Sequence, residues 1–527
     1  MTITREVPAD GASPPSVTNL TTTLWILIPA LLLKLALHWA GIANYGYFRD
    51  ELYYLASVPH LDFGYVEHPP FFIYLLAGWT ALFGDSVVAI RTLSVLAGTG
   101  LILIVGLTAR ALGAGLFAQG IAALAAAVTP VFLATQHFYS MNVFDQLLWG
   151  LAGLILVWLI RDPSPRIWLL LGFVLGLGLM NKISVLWLGA GIAAALLLTP
   201  YRRMLADRWA WIGALIALLM FLPFLLWQAT HGFPLLEFAR NATERKMVNP
   251  GPGEFLLAQL LNAGPAAVPI YLAGLAAPLV FRENRTVRVF VIVFLTVLLI
   301  LLVSGSSKAY YMAPAYPFLL LPGAMVLERF FAAGLRRWAG WGYALVVVVA
   351  GLFTAPLAVP ILPVETYIRY ANALGLSGTN VADERHKMGP LPQHFADMFG
   401  WEEFTAEIAR VYHGLSPEEK SRCAIYVRNY GEAGAIDVLG RRYGLPRAIS
   451  GHNTYWIWGP GPATGDVLIM VGGAPDEEGK AFESFEKVGS TPDHPYAMPY
   501  ERNRPIYVGR KLKIPMSEAW ARSKDFI

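Results

Sequence analysis

Asp50 and Glu51 stand side by side in the stretch RDELYYL, directly after the first apolar run long enough to cross a membrane. Two carboxylates at such an edge can position an acceptor hydroxyl and take its proton, while the hydrocarbon region nearby holds a greasy donor. Glu67 and His68 follow in YVEHPPFF, Asp145 in HFYSMNVFDQLLWGL, Lys182 in GLMNKISVLWLG and Lys308 in SGSSKAYYMAP. Charged groups at membrane depth are costly unless they pair or face water, so a set gathered at one level marks a site. Lysines there can hold the phosphate of a lipid carrier and stabilise charge on it as it departs, while a carboxylate activates the incoming hydroxyl. Tyr310 and Tyr311, beside Lys308 and the serines before it, supply hydroxyls for a phosphate or sugar pocket. One displacement with the carrier as leaving group inverts the anomeric carbon and needs no covalent intermediate.

The elements that position these residues are membrane helices. Of 527 residues, 56% are hydrophobic and 14% charged, too apolar a balance for a soluble chain of this size. A spanning helix needs roughly 20 apolar residues. Apolar runs near 22–41, 86–110, 116–135, 143–160, 166–181, 183–200, 209–229, 255–281, 287–304, 309–328 and 340–360 predict about eleven spans, with eleven to thirteen as the working range. Alternate loops carry the arginines: Arg110, then Arg161 and Arg166, then Arg202, Arg203 and Arg208, then Arg282, Arg285 and Arg288, then Arg329, Arg336 and Arg337. Positive residues in short loops stay in the cytoplasm. An odd span count therefore puts the amino terminus inside, and the acidic pair, Glu67, His68, Asp145, Lys182, Lys308 and the final 160 or so residues outside.

Three domains are expected: a disordered cytoplasmic tail over 1–21, a transmembrane domain over 22–361, and an extracytoplasmic α/β domain over 362–527. In the last, Ser416, Pro417 and Glu419 spell a capped helix start. CAIYVRN and DVLIMVGG predict strands, GEAGAIDVLGRRYG a helix and IYVGRKL an edge strand. The turn NYGEAGA can bind an anion or be purely structural, and the aromatic faces of WIWGPGP can stack on a sugar. The single cysteine, Cys423, excludes an internal disulfide, and a net charge of +4 spread over loops excludes a nucleic-acid groove.

Each candidate has a structural alternative. The acidic pair can cap the first external helix and Asp145 can be an N-terminal helix acid; Lys182 can be a snorkelling interfacial lysine. Arg91 is expected to pair with an acid such as Asp85. Lys34 and His38 share a helix face and should point into the bundle without a catalytic part. The long stretch 230–254 mixes charge with aromatics and offers Arg240, Asn241 and Lys246 as substrate contacts.

The runs YFRDELYYLA, YVEHPPFFIYLLAGWTALFGDSVVAIR, MNVFDQLLW, LMNKIS and SKAYYMAPAYP resemble the bacterial branch of glycosyltransferase family 39, in the GT-C superfamily, over roughly residues 25–330. That family is similar to protein O-mannosyltransferases and lipid A aminoarabinose transferases. The resemblance implies a polytopic all-α membrane domain with amphipathic helices in the first external loop, one of them FFIYLLAGWTALFG. It implies Asp50 as general base, Glu51 as the neighbour that orients acceptor or local structure, and Asp145 as a second membrane-face acid. Lys182 and Lys308 match the basic positions near the donor phosphate. A polyprenyl-phosphate sugar is the implied donor; a glycan, lipid or protein hydroxyl of the cell envelope is the acceptor, and a bacterial inner membrane is the setting. Relatives with Lys-Pro-Pro differ from this chain, which has Glu67, His68, Pro69 and Pro70, and this weighs against aminoarabinose. Glu67 and His68 with the acid pair also make a candidate site for a divalent metal ion. The competing class is a lipid-sugar flippase, for which inverted repeats and midplane polar residues are the expected marks.

Overall fold

The structure, a computed structural model, describes residues 18–248, 250–305, 308–376 and 385–527. All but the last few residues of the expected tail lie outside that set, as do Ser306 and Ser307 before Lys308.

Helices stand at all eleven apolar stretches. The first nine in chain order are α1 (Leu20–Gly41), α2 (Arg49–Ser57), α3 (Phe71–Phe83), α4 (Val87–Ala111), α5 (Leu116–Val128), α6 (Pro130–Thr135), α7 (Met141–Arg161), α8 (Pro165–Asn181) and α9 (Val185–Leu197). Seven helices of the described residues are long and apolar enough to cross a membrane, or nine if two bent pairs each make one span. The difference from the expected eleven lies in length: α5 and α8 are apolar but have only 13 and 17 residues. The run expected at 255–281 is one of the bent pairs, turning by 92° where Gly264 and Pro265 interrupt it. Gly172 of α8 and Gly213 of the helix Arg208–Thr230 let these two backbones touch, since a Cβ on Gly172 would fall 2.2 Å from the Gly213 carbonyl oxygen. Lys34 and His38 are fully buried in the bundle, as expected.

The chain between α1 and α4 folds into α2 and α3. In α3, Phe72, Ile73 and Leu76 are buried while Leu82 and Phe83 are exposed, giving the expected two-faced helix.

The C-terminal domain holds a five-stranded sheet of β1 (Cys423–Val427), β2 (Ala448–Ser450), β3 (Val467–Val471), β4 (Phe482–Ser490) and β5 (Pro505–Leu512), ordered β2-β1-β3-β5-β4. The first three strands are parallel and the last two pair antiparallel. IYVGRKL forms a strand as expected but an interior one. The edge is β4, FESFEKVGS, whose charges on the exposed rim suit an edge and hid it from a search for apolar runs. The helix Tyr430–Leu439 connects β1 to β2 and lies on α2, and one buried cluster joins Leu52, Tyr53 and Leu55 to Ile425, Ala433 and Ile436. The two domains therefore share a core at the acidic pair.

Candidate active site

Asp50 and Glu51 occupy the first turn of α2, where carboxylates complement the helix N-terminus. Neighbours on a helix point about 100° apart, and these two end in opposite surroundings. Glu51 is fully buried. Its Oε2 accepts from the Phe48 backbone N–H at 2.8 Å and from Arg91 Nη2 at 3.0 Å, and its Oε1 from Arg91 Nε at 3.1 Å and the Tyr139 N–H at 2.8 Å. Arg91 spends its remaining donors on the carbonyls of Ile42, Asn44 and Gly46. Arg91 thus pairs with an acid, as expected, but the acid is Glu51 and not Asp85. Asp85 lies at the exposed surface, where its carboxylate meets Arg441 at 3.3 Å, while Arg91 lies a turn and more inside α4. Glu51, with every oxygen engaged, holds α2, α4 and the chain before α7 together.

Asp50 keeps 27% of its side chain exposed. Its Oδ1 accepts from the Tyr430 hydroxyl at 2.9 Å, and Arg49 Nε lies 3.5 Å away. Arg49 in turn meets Asp397 at 3.7 Å and donates to the Tyr500 hydroxyl at 2.6 Å. Glu67 shares the same electrostatic neighbourhood. Burial pushes its carboxyl up to about 7; Tyr53 opposes the rise, Asp50 adds to it and Lys246 offsets it. Thr454 Oγ1 lies 3.5 Å from Glu67 Oε2. His68 is fully buried among Tyr54, Tyr65 and Phe72, with Nδ1 3.1 Å from the Pro69 carbonyl oxygen. Burial pushes it down to about 3, so it is neutral at physiological pH. Glu51 is taken by Arg91 and His68 is walled by rings, and among the described residues no three His, Cys, Asp or Glu side chains gather. The metal site expected from Glu67, His68 and the acid pair does not fit these positions.

A second cluster forms where α8 breaks into α9. Lys182 follows the last residue of α8 in extended conformation. Its Nζ donates to Asn142 Oδ1 at 2.7 Å, stands 4.0 Å from Asp145 Oδ2 and lies 5.0 Å from the ring centre of Tyr311 and 5.9 Å from that of Tyr310. Asp145, fully buried on α7, takes the Ser184 hydroxyl between its two oxygens at 2.8 Å each. Lys308 comes near enough to Lys182 for the two charges to act on one another. Lys308, half-buried, caps the short 3-10 turn Ala309–Ala315 that carries both tyrosines. The two ammonium groups, the Asn142 amide and two aromatic faces make a cradle suited to a phosphate.

The segment between α6 and α7 connects the clusters. Tyr139 donates its N–H to Glu51 and its hydroxyl to the Phe72 carbonyl, and Asn142 and Asp145 follow within two turns. In the stretch 230–254, Lys246 comes near enough to act on Glu67 and His452. Arg240 is exposed and pairs with Glu244 at 3.2 Å, and Asn241 donates to the Phe526 carbonyl. The structure thus groups Asp50 with Glu67 and Lys246, groups Lys182 with Asp145, Lys308, Tyr310 and Tyr311, and leaves Arg240 with neither. Sequence reasoning missed Asn142 and Ser184, which lie inside the quoted motifs, and Tyr430 and Thr454, which come from the other domain. Of the WIWGPGP aromatics, Trp458 stacks on His60 at 4.4 Å, while Trp456 and Trp520 exchange hydrogen bonds.

Residues 67–227 match the family model described as dolichyl-phosphate-mannose-protein mannosyltransferase. The chain is 29% identical over 272 residues to the lipid A galacturonosyltransferase RgtD of Rhizobium johnstonii, spanning 50% of this chain and 56% of that protein, so it matches little more than half the length of this relative. Among solved structures it is similar to ArnT from Cupriavidus metallidurans bound to undecaprenyl phosphate, with a TM-score of 0.60 and 14% identity over 92% of this chain and 97% of that one. The apo form of ArnT matches with a TM-score of 0.55. At such identity the likeness is one of fold, and it takes in the C-terminal domain as well as the membrane helices. The matched stretch and the shared architecture agree with the resemblance read from the motifs: the chain is a multi-pass membrane protein with the fold of ArnT, and residues 67–227 match the mannosyltransferase family model.

Proposed function

We propose that this protein is an inverting glycosyltransferase that moves a sugar from a polyprenyl phosphate to an acceptor hydroxyl on the external face of a bacterial inner membrane, with the C-terminal domain on that same face. The observation that carries the reading is one partly exposed carboxylate, Asp50, whose neighbour Glu51 binds the Tyr139 N–H, together with a lysine cradle whose Asn142 and Asp145 follow Tyr139 in the chain. The acceptor oxygen attacks the anomeric carbon and gives its proton to Asp50. The bond from that carbon to the phosphate oxygen breaks, and the polyprenyl phosphate departs with the electron pair. Lys182 and Lys308 meet its added negative charge. Glu51 positions Asp50 by fixing the start of α2, and Asp145 positions Lys182 through Ser184.

The named relative acts on lipid A with a galacturonosyl group, and the named structure holds undecaprenyl phosphate, so an envelope glycolipid and a C55 carrier are the first substrates to try. Purified protein in liposomes should release free undecaprenyl phosphate from an undecaprenyl-phosphate sugar when lipid A is present. The donor panel should cover galacturonic acid, a neutral hexose and a pentose. Movement of intact donor between leaflets with no release would instead establish a flippase.

A further inference from the structure

We infer that Tyr430 and Thr454, both on the C-terminal domain, are positioning residues of the site, so that transfer requires this domain to be seated on α2. The inference deepens the proposed function, because it rests on Asp50 and Glu67 facing the acceptor.

Each of the two carboxylates on the acceptor side meets a hydroxyl from the C-terminal domain. Tyr430, the first residue of the helix Tyr430–Leu439, donates to Asp50 Oδ1 at 2.9 Å. Thr454, the first residue of the helix Thr454–Trp458, takes the Val66 N–H at 3.0 Å and turns its own hydroxyl to Glu67. The Tyr430 hydroxyl is aimed from behind. Its backbone N–H donates to His452 Nδ1 at 3.1 Å, its ring lies nearly parallel to that of His452 at 4.9 Å, and Tyr53 packs on it at 4.8 Å. The Arg49 guanidinium lies 5.3 Å from the ring centre. Backbone, ring faces and guanidinium together fix the ring, and with it the point at which the hydroxyl meets Asp50.

The fit between the helices leaves no room to shift. A Cβ on Gly434 would come within 2.7 Å of the Leu52 carbonyl carbon and 2.8 Å of the Tyr53 nitrogen. One on Gly431, three residues earlier, would fall 2.4 Å from Arg49 Cγ. The first of these obstacles is backbone, which cannot move aside as a flexible side chain can. The glycines of NYGEAGA are therefore explained by close approach to α2, and Asn429 and Glu432 already occupy the backbone N–H groups that an anion would need.

The test uses the full-length protein in nanodiscs, with two readouts. The first is coupling of glycine ethyl ester to Asp50 by a water-soluble carbodiimide at one fixed pH, followed by peptide mass spectrometry. Removing the Tyr430 hydroxyl leaves Oδ1 with Arg49 alone, so Tyr430→Phe should raise this coupling about tenfold, the scale of one hydrogen bond to a charged group. Tyr455→Phe, which loses a hydroxyl bonded within the domain to Asp437, should leave it unchanged. The second readout is turnover on whichever donor is accepted: Tyr430→Phe should lower kcat about tenfold with the donor KM unchanged, because geometry is lost at the acceptor side alone. Gly434→Val should do the same while Tyr430 is still present; if that variant does not fold, Thr454→Val replaces it, with coupling followed at Glu67. Coupling at Asp50 that is identical in parent and Tyr430→Phe overturns the contact, and increased coupling with unchanged kcat overturns the positioning role. Retained turnover in Asp50→Asn would defeat the proposed base instead, a result the coupling experiment does not depend on.

Discussion

The proposed acceptor side and the proposed donor side of the site are built in different ways. Lys182, Asp145, Asn142 and Ser184 come from helix ends of the bundle, each partner within about forty residues of the next, and Lys308, Tyr310 and Tyr311 join them from a turn at the start of a later helix of the same bundle. Asp50 and Glu67 are completed by Tyr430 and Thr454, some 380 residues further on. A cradle made of neighbouring helix ends forms whenever the bundle forms. A carboxylate set closed by a second domain forms only when that domain docks. In the proposed reaction the phosphate end is then held by the membrane helices and the acceptor end by docking of the C-terminal domain.

The sharpest way to break this division is Asp50→Asn, which keeps the side-chain shape and the Tyr430 contact but cannot take a proton. Turnover should fall by about 10²–10⁴-fold, the usual worth of a positioned general base, with donor binding unaltered. Retention of more than about a tenth of the activity would mean that the acceptor arrives already ionised, as a phosphate does, and that no base is needed.

Arg91→Met separates structure from chemistry inside the same acidic pair. It strands the Glu51 carboxylate in a fully buried position. Loss of one partner of a buried ion pair costs about 3–5 kcal/mol, so the variant should melt far below the parent in detergent or fail to accumulate. An unchanged melting temperature would show that Glu51 is free to work elsewhere. On the donor side, Lys182→Gln removes one charge from the cradle while Asn142 and the tyrosines remain. A loss of about 10²-fold in kcat is expected, in line with removal of a single transition-state donor, with the fold intact by melting. Parent-like turnover in that variant would leave Lys182 as an interfacial anchor.

These expectations follow the line between what the sequence shows and what it hides. Asp50, Asp145, Lys182 and Lys308 stand out because ionisable residues beside apolar runs are expensive and few. The apolar helices stand out for the same reason. Glu51 is as visible as Asp50, yet its role turns on a rotation of about 100° that adjacency in sequence conceals. Tyr430 and Thr454 carry no charge and open short helices of the C-terminal domain, so their residue type alone does not distinguish them. Their meaning lies in a long-range contact, and the one local trace of it is the Gly431 and Gly434 spacing. The strand β4 was hidden by its polar, charged edge character.

Glu67 gives the smallest effect, and it tests whether the acceptor side is as dry as its packing implies. A carboxyl whose proton affinity is raised on folding, here from about 4.5 to about 7, opposes folding once it must ionise. Below pH 4.5 it is protonated in both states and costs nothing. The cost grows as pH rises from 4.5 to 7 and is constant above that, reaching about 1–3 kcal/mol once its partial exposure is allowed for. Glu67→Gln removes the ionisation, so its melting temperature should gain on the parent across that window and run parallel to it at higher pH. If the two curves stay parallel from pH 4 to 8, water already reaches Glu67 freely. The roof that the C-terminal domain places over it through Thr454 would then not seal the acceptor side, and the contrast with the buried Asp145 on the donor side would be one of partners and not of solvent.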